Sequence, residues 1–223
     1  MCGIVAYLGN KSAYPIMIKG LQRLEYRGYD SAGVALLNGS LTIIRRKGKV
    51  KDLEDFAVGK NLSGTVGIGH TRWATHGKPD DRNAHPHLSG NGRFALVHNG
   101  IIENYQELKN ILIAEWVLFE WQTDSEVVVA MIERASWNTL EERWLDIAPK
   151  LQWAYAFLIV DRDHPDELLS IRNGSPLIFG KKNSTKEFYL TSDQNALAGF
   201  ADDIIFLEDG EYVYITGETY KIF

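Results

Sequence analysis

The chain has 223 residues, 45% hydrophobic and 24% charged, with a formal net charge of −5. That composition suits a buried core and argues against disorder, and the acidic balance argues against a nucleic-acid surface, which needs a basic face. A single cysteine excludes an intrachain disulfide, no stretch approaches the roughly 20 apolar residues of a membrane span, and no basic segment leads into an apolar run at the N-terminus, so the cytoplasm is the expected compartment.

Residues 2–9, CGIVAYLG, read as a short buried strand ending at a glycine turn. Residues 14–24 place Ile16, Met17, Leu21 and Leu24 near helical spacing. A loop at RGYDSAG precedes two strands, SAGVALL and LTIIRR, joined at Asn38-Gly39-Ser40 in the manner of a hairpin. KDLEDFAV reads as a short helix, and TVGIGHTRW and RFALVHNG as two further strands. Between these lies a long polar segment, residues 73–92, with little periodicity; such a loop in a compact domain is either functional or disordered. ENYQELKNILIA, SEVVVAMIERA and TLEERWLDIAPKLQ have the pattern of amphipathic helices. The spacing of Thr123 and Glu126 predicts a capping box on the second of them, and Leu140, Trp144, Ala148 and Leu151 share one face of the third. The last third, YAFLIVD, ELLSIRN, LIFGKK, EFYLTSD and DIIFLEDGEYVYI, is a series of short strands with turn signals between them. Helices bracketed by hairpin-linked strands predict an α+β fold with antiparallel sheets. No repeat or linker divides the chain, so residues 1–223 are expected to form one domain.

A lone cysteine is ordinarily a small buried hydrophobe, but Cys2 follows only Met1. Removal of that methionine would leave a cysteine with a free α-amine of pKa near 8, a built-in base for its own thiol. A thiol attacking a carbonyl needs donors for the oxyanion. Asn99 and Gly100, at the end of a predicted strand, could supply a side-chain amide and a backbone N–H, although Asn-Gly is also an ordinary turn. For an amino-acid substrate, Arg72 offers a carboxylate fork and Asp124 a partner for an ammonium group; each taken alone is also consistent with a solvated surface charge.

In combination these motifs resemble a known family. CGIV after the first methionine, LEYRGYDSAG at 24–33, GHTRWATHG at 69–77, HNGIIENY at 98–105 and TDSEV at 123–127 are similar to the glutaminase domain of the glutamine–fructose-6-phosphate aminotransferase (glucosamine-6-phosphate synthase) family, a branch of the N-terminal-nucleophile class II glutamine amidotransferases. RNGSPLIFG and LTSDQNAL extend the resemblance over essentially the whole chain. It implies a four-layer αββα sandwich and a Cys2 nucleophile that forms a γ-glutamyl thioester. It further implies an oxyanion hole at Asn99 and Gly100, and binding of the glutamine α-carboxylate by Arg72 with Thr75 and His76 beside it. Asp124 with Gly100 would take the α-amino group. Trp73 would belong to a segment that closes over glutamine, residues 73–78 acting as a lid, and Arg27 to a second loop near the nucleophile. The sugar-isomerase domains and homodimer of the full-length family enzyme are implied as partners of such a domain. Two rivals remain at this point: a different glutamine-dependent amidotransferase, and a silent domain that merely binds glutamine.

Other patterns have plainer readings. His85 and His87, with His76 and His98, lack acidic or cysteine ligands at suitable spacing, so no metal is expected. Gly67 and Gly69 lack the third glycine of a dinucleotide fingerprint, and no cofactor is expected. Arg45, Arg46, Lys47, Lys49 and Lys51 read as a solvated strand end and loop. Trp116 and Trp153 stand where the resemblance leads one to expect a glycine after a helix, a position that commonly has left-handed backbone. Trp144 reads as core.

Overall fold

The structure, a computed structural model, describes residues 2–73, 80–121 and 123–223. In chain order its elements are β1 (Gly3–Leu8), α1 (Ala13–Leu24), β2 (Ser31–Leu37), β3 (Leu41–Lys47), α2 (Val50–Ala57), β4 (Val66–Arg72), β5 (His87–Leu88), β6 (Phe94–Gly100), α3 (Tyr105–Ala114), α4 (Asp124–Arg134) and α5 (Leu140–Ile147). There follow β7 (Tyr155–Asp161), β8 (His164–Asn173), β9 (Ile178–Lys182), β10 (Glu187–Thr191), β11 (Asp203–Phe206), β12 (Tyr212–Thr216) and β13 (Thr219–Ile222). Among the described residues, one sheet has the order β11-β9-β10-β1-β4-β2-β3 and the other β13-β12-β8-β7-β6-β5. Every named pairing of strands is antiparallel.

Strand alternation sorts side chains into layers. In β1, Ile4, Ala6 and Leu8 enter the cluster between the sheets, while Val5 and Tyr7 face α1 and α2. In β7, Ala156, Leu158 and Val160 join the inter-sheet cluster, while Tyr155, Phe157 and Ile159 pack against α3, α4 and α5. Helices thus cover the outer face of each sheet, giving the αββα sandwich. Gly67 and Gly69 lie on the face of β4 that receives α1. A Cβ on Gly69 would stand 2.8 Å from Met17 Cε, and one on Gly67 would collide with the sulfur of the same residue. Their small size is required for close helix–sheet packing.

Several local features depart from expectation. The capping box at α4 does not form: Thr123 makes no side-chain cap hydrogen bond, and its hydroxyl lies 3.0 Å from His87 Nε2. Glu126 instead accepts the N–H groups of Glu120 and Trp121, at 2.6 and 3.0 Å, because it is more useful to the incoming chain than to its own helix. Within the polar segment, Asn83, Ala84, His85, His87 and Ser89 are buried and β5 pairs with β6, so this part is ordered. The 203–215 stretch is divided between the two sheets, β11 pairing with β9 and β12 with β8. A capping box forms at α5, where Thr139 and Glu142 bond reciprocally. This helix gives way to a 3-10 turn over Ala148–Lys150, earlier than its periodicity suggests, and Trp144 is buried as expected. Arg45 differs from its solvated neighbours: its guanidinium lies over the Trp121 ring at 5.5 Å. Trp116 and Trp153 do adopt the left-handed backbone, with φ of 66° and 90°.

Candidate active site

The antiparallel register Gly3↔Thr71 brings the start of β1 beside the end of β4. In the facing sheet β6 ends at Asn99 and Gly100, and α4 begins at Asp124. These ends converge on a cavity of about 350 Å³ lined by Cys2, Arg27, Arg72, Asn99, Gly100 and Asp124. Trp73 joins the same wall. Residues far apart in sequence meet because strand and helix ends, rather than element middles, face one opening. Thr75, His76 and the remainder of the expected lid, residues 74–78, lie outside the described residues, as does Met1.

The Cys2 sulfur accepts a hydrogen bond from the backbone N–H of Trp73 at 3.1 Å. Burial pushes the Cys2 thiol up from its ordinary value, and the Trp73 bond offsets part of that rise by favouring thiolate. The Asn99 carboxamide donates from Nδ2 to the Cys2 carbonyl at 3.2 Å. Its N–H groups therefore face the residue that bears the thiol. Gly100 has φ of 129°, and a Cβ there would collide with the Ala154 carbonyl, so only glycine fits.

Arg72 is buried, 4% exposed. Its Nη1 lies 3.9 Å from Asp30 Oδ1, and the Asp30 N–H donates to the Arg72 carbonyl at 2.7 Å, which ties the β4 end to the loop before β2. Asp124 Oδ2 accepts the N–H of Ile102 at 2.8 Å, and its place in the first turn of α4 suits a carboxylate. The cavity thus carries a cation and an anion on separate elements, the arrangement a zwitterion requires. Arg27 closes the 3-10 turn after α1 and donates from Nη1 to the Ser192 carbonyl at 3.1 Å. Ser192 in turn accepts from the Ile4 N–H at 3.0 Å, so this loop is tied to β1.

Sequence reasoning missed the residues behind the cavity wall. His70, His85, His98 and Ser125 also line it. His70 Nε2 lies 3.0 Å from Asn99 Oδ1, His70 and His85 stack with centroids 4.3 Å apart, and His98 Nδ1 lies 2.9 Å from the Ser125 hydroxyl. Burial lowers all three imidazoles, His70 to about 3, so they are neutral near pH 7. One sequence signal was available. Alternation along β4 puts His70 on the inward face with Ile68, where a polar ring needs a buried partner.

Comparison with known proteins gives this geometry a family. The sequence pattern described as the glutamine amidotransferase domain matches residues 70–199. The chain belongs to this family. It is 48% identical over its whole length to glutamine–fructose-6-phosphate aminotransferase (isomerizing) of Bacteroides thetaiotaomicron, covering 37% of that protein. It is 47% identical over its whole length to the enzyme of the same name from Aquifex aeolicus, covering 38% of it. The chain thus spans little more than a third of these curated relatives. Among solved structures, glutamine phosphoribosylpyrophosphate amidotransferase from B. subtilis superimposes with a TM-score of 0.85 at 28% identity, covering all of this chain and 49% of the other. The amidotransferase fold is therefore shared across branches, while sequence similarity is greater to the aminotransferase branch.

Proposed function

We propose that this domain hydrolyses the side-chain amide of L-glutamine to glutamate and ammonia through a Cys2 thioester. We further propose that it is the ammonia-supplying part of a protein making glucosamine 6-phosphate from fructose 6-phosphate. The observation that carries the reading is the convergence of Cys2, the Asn99 amide, Arg72 and Asp124 on one cavity. The Cys2 sulfur attacks the amide carbon, and the carbonyl oxygen becomes an oxyanion facing Asn99 Nδ2 and the Gly100 N–H. The thiol proton passes through the Cys2 α-amine to the leaving nitrogen, and ammonia departs. Water then attacks the thioester, releasing glutamate and restoring the thiol. Arg72 holds the substrate carboxylate, and Asp124 with Gly100 the ammonium. Thr75 and His76 would assist Arg72, while Trp73 and Arg27 belong to the cavity rim.

The identity of 46–48% over the whole chain to aminotransferases supports the amino-sugar reading over a phosphoribosyl one. Residues 1–223 form the glutaminase domain, with sugar-isomerase domains and a homodimeric assembly in the complete protein. The reading places its action in the cytoplasm; separately, among the described residues no helix is long and apolar enough to cross a membrane. The test is glutamate release by protein whose mass shows Met1 removed, beside a Cys2→Ala variant. Glutamine-dependent release lost in the variant is expected; glutamine binding without release in both would establish the silent-domain alternative.

A further inference from the structure

We infer that His70 is the positioning residue that sets which end of the Asn99 carboxamide faces the nucleophile. The inference rests on the proposed oxyanion role of Asn99. A carboxamide has two ends of nearly equal size, and only the N–H end can stabilise an oxyanion. The structure holds Asn99 between two partners: Nδ2 donates to the Cys2 carbonyl at 3.2 Å and Oδ1 lies 3.0 Å from His70 Nε2. A flipped amide would put two carbonyl oxygens against each other on the Cys2 side, so Oδ1 belongs on the His70 side and Nε2 must carry the proton. His70 Nε2 can serve as that donor without a charge, since burial keeps the ring neutral.

The ring is itself constrained. His70 is 1% exposed, its backbone pairs with Ile4 on one side and Gly33 on the other, and the His85 ring stacks on it at 4.3 Å with an interplanar angle of 25°. His85 is in turn held by the His98 N–H, which donates to its Nδ1 at 3.2 Å. A rigid donor on a central strand thus faces the acceptor end of Asn99. His70 acts through Asn99 and need not touch substrate.

The experiment compares His70→Met, His70→Gln and Asn99→Ala with the double variant His70→Met/Asn99→Ala, in protein with Met1 removed. A glutamine side chain places an N–H donor where Nε2 lies; methionine has none. His70→Met should lower kcat at least about tenfold and at most the roughly 10²–10³-fold lost when an oxyanion donor is removed outright, while KM for glutamine changes less than about threefold. His70→Gln should recover kcat to within about fivefold of the parent. Adding His70→Met to Asn99→Ala should change kcat less than about twofold, because the effect runs through Asn99. A loss that persists in the Asn99→Ala background, or His70→Gln no better than His70→Met, overturns the assignment. Should His70→Met fail to fold, His70→Asn takes its place; its shorter amide cannot reach Asn99, so it should show the same loss, and parent-like kcat would overturn the assignment. An activity-independent readout is the imidazole ¹⁵N spectrum. Protonated Nε2 with bare Nδ1 in the parent protein supports the assignment, and the opposite tautomer overturns it even if the glutaminase reading itself fails.

Discussion

The backbone N–H of Trp73 donates to the sulfur of Cys2 across 3.1 Å, joining residues 71 positions apart. The proposed nucleophile is thereby fixed to the first residue of the segment that follows β4. The bond favours thiolate, but burial outweighs it and the thiol remains raised. A resting thiol of this kind needs a base when substrate arrives, and three neighbouring histidines are committed elsewhere, to Asn99, to a backbone N–H and to Ser125.

Retention of Met1 should therefore abolish glutamate release. It converts the Cys2 amine into an amide nitrogen, which is no base, and loss of general base assistance alone costs about 10²–10⁴-fold. Mass-verified preparations with and without Met1, assayed side by side, check this; comparable turnover would require another base.

Arg72→Lys should raise KM for glutamine at least about tenfold, because a point charge cannot reproduce the planar two-pronged contact with a carboxylate. The side chain is buried, so solvent cannot fill the missing contact. Steady-state kinetics with glutamine measure the effect, and parent-like KM would remove Arg72 from the proposed carboxylate site.

The buried histidines should make stability fall on mild acidification. His70, His85, His87 and His98 all have lowered values, chiefly through burial. Folded, they stay neutral; unfolded, they take up protons below about pH 6.5. The unfolded state binds more protons in that window, so stability is complete above about pH 6.5 and declines as pH falls towards the folded values. Each histidine contributes a slope of about 1.4 kcal/mol per pH unit across its window. Urea midpoints should drop sharply between about pH 7 and about pH 5, and coincident midpoints would contradict the neutral cluster. His164, raised by its bond to Asp161, works in the opposite sense but is partly exposed, at 42% of its side chain, and weaker.

Trp116→Gly should stabilise the domain by about 0.5–1 kcal/mol. The residue has φ of 66° and is 92% exposed. A side chain in left-handed backbone costs about 1–2 kcal/mol, glycine returns part of this as unfolded-state entropy, and little burial is lost. Denaturation midpoints measure the change; glutaminase activity should be unaffected, since Trp116 lies away from the cavity.

Much of the layering was legible because β1, β6 and β7 alternate between two buried faces, and their apolar residues announce it. The residues gathered at the cavity, Cys2, Arg72, Asn99, Gly100 and Asp124, were legible from their chemistry and from the motifs that carry the family resemblance, each being ambiguous alone; the structure sets them at element ends. What escaped was set by distant partners. Glu126 has correct local spacing for a cap, yet tertiary contact with residues 120 and 121 takes its carboxylate. Residues 83–89 are polar but buried, since His85 and His87 find ring and hydroxyl partners inside. The division of 203–215 between sheets depends on pairings with Ile178–Lys182 and His164–Asn173 that no local pattern encodes. The short β13, Thr219–Ile222, is too brief for alternation to reveal.

The strand that follows Cys2 lies inside its sheet, flanked by β4 on one side and β10 on the other. Chain termini ordinarily fray, whereas here the first strand is held by two ladders and by the bond from the Ile4 N–H to the Ser192 hydroxyl, 188 positions downstream. On the ribosome, at roughly 5–20 residues per second, β10 emerges about ten seconds or more after β1. Until then β1 is an open edge of its sheet, with β4 alone beside it. The strand that follows Cys2 therefore gains its second ladder, and its bond to Ser192, only after most of residues 1–223 have been made.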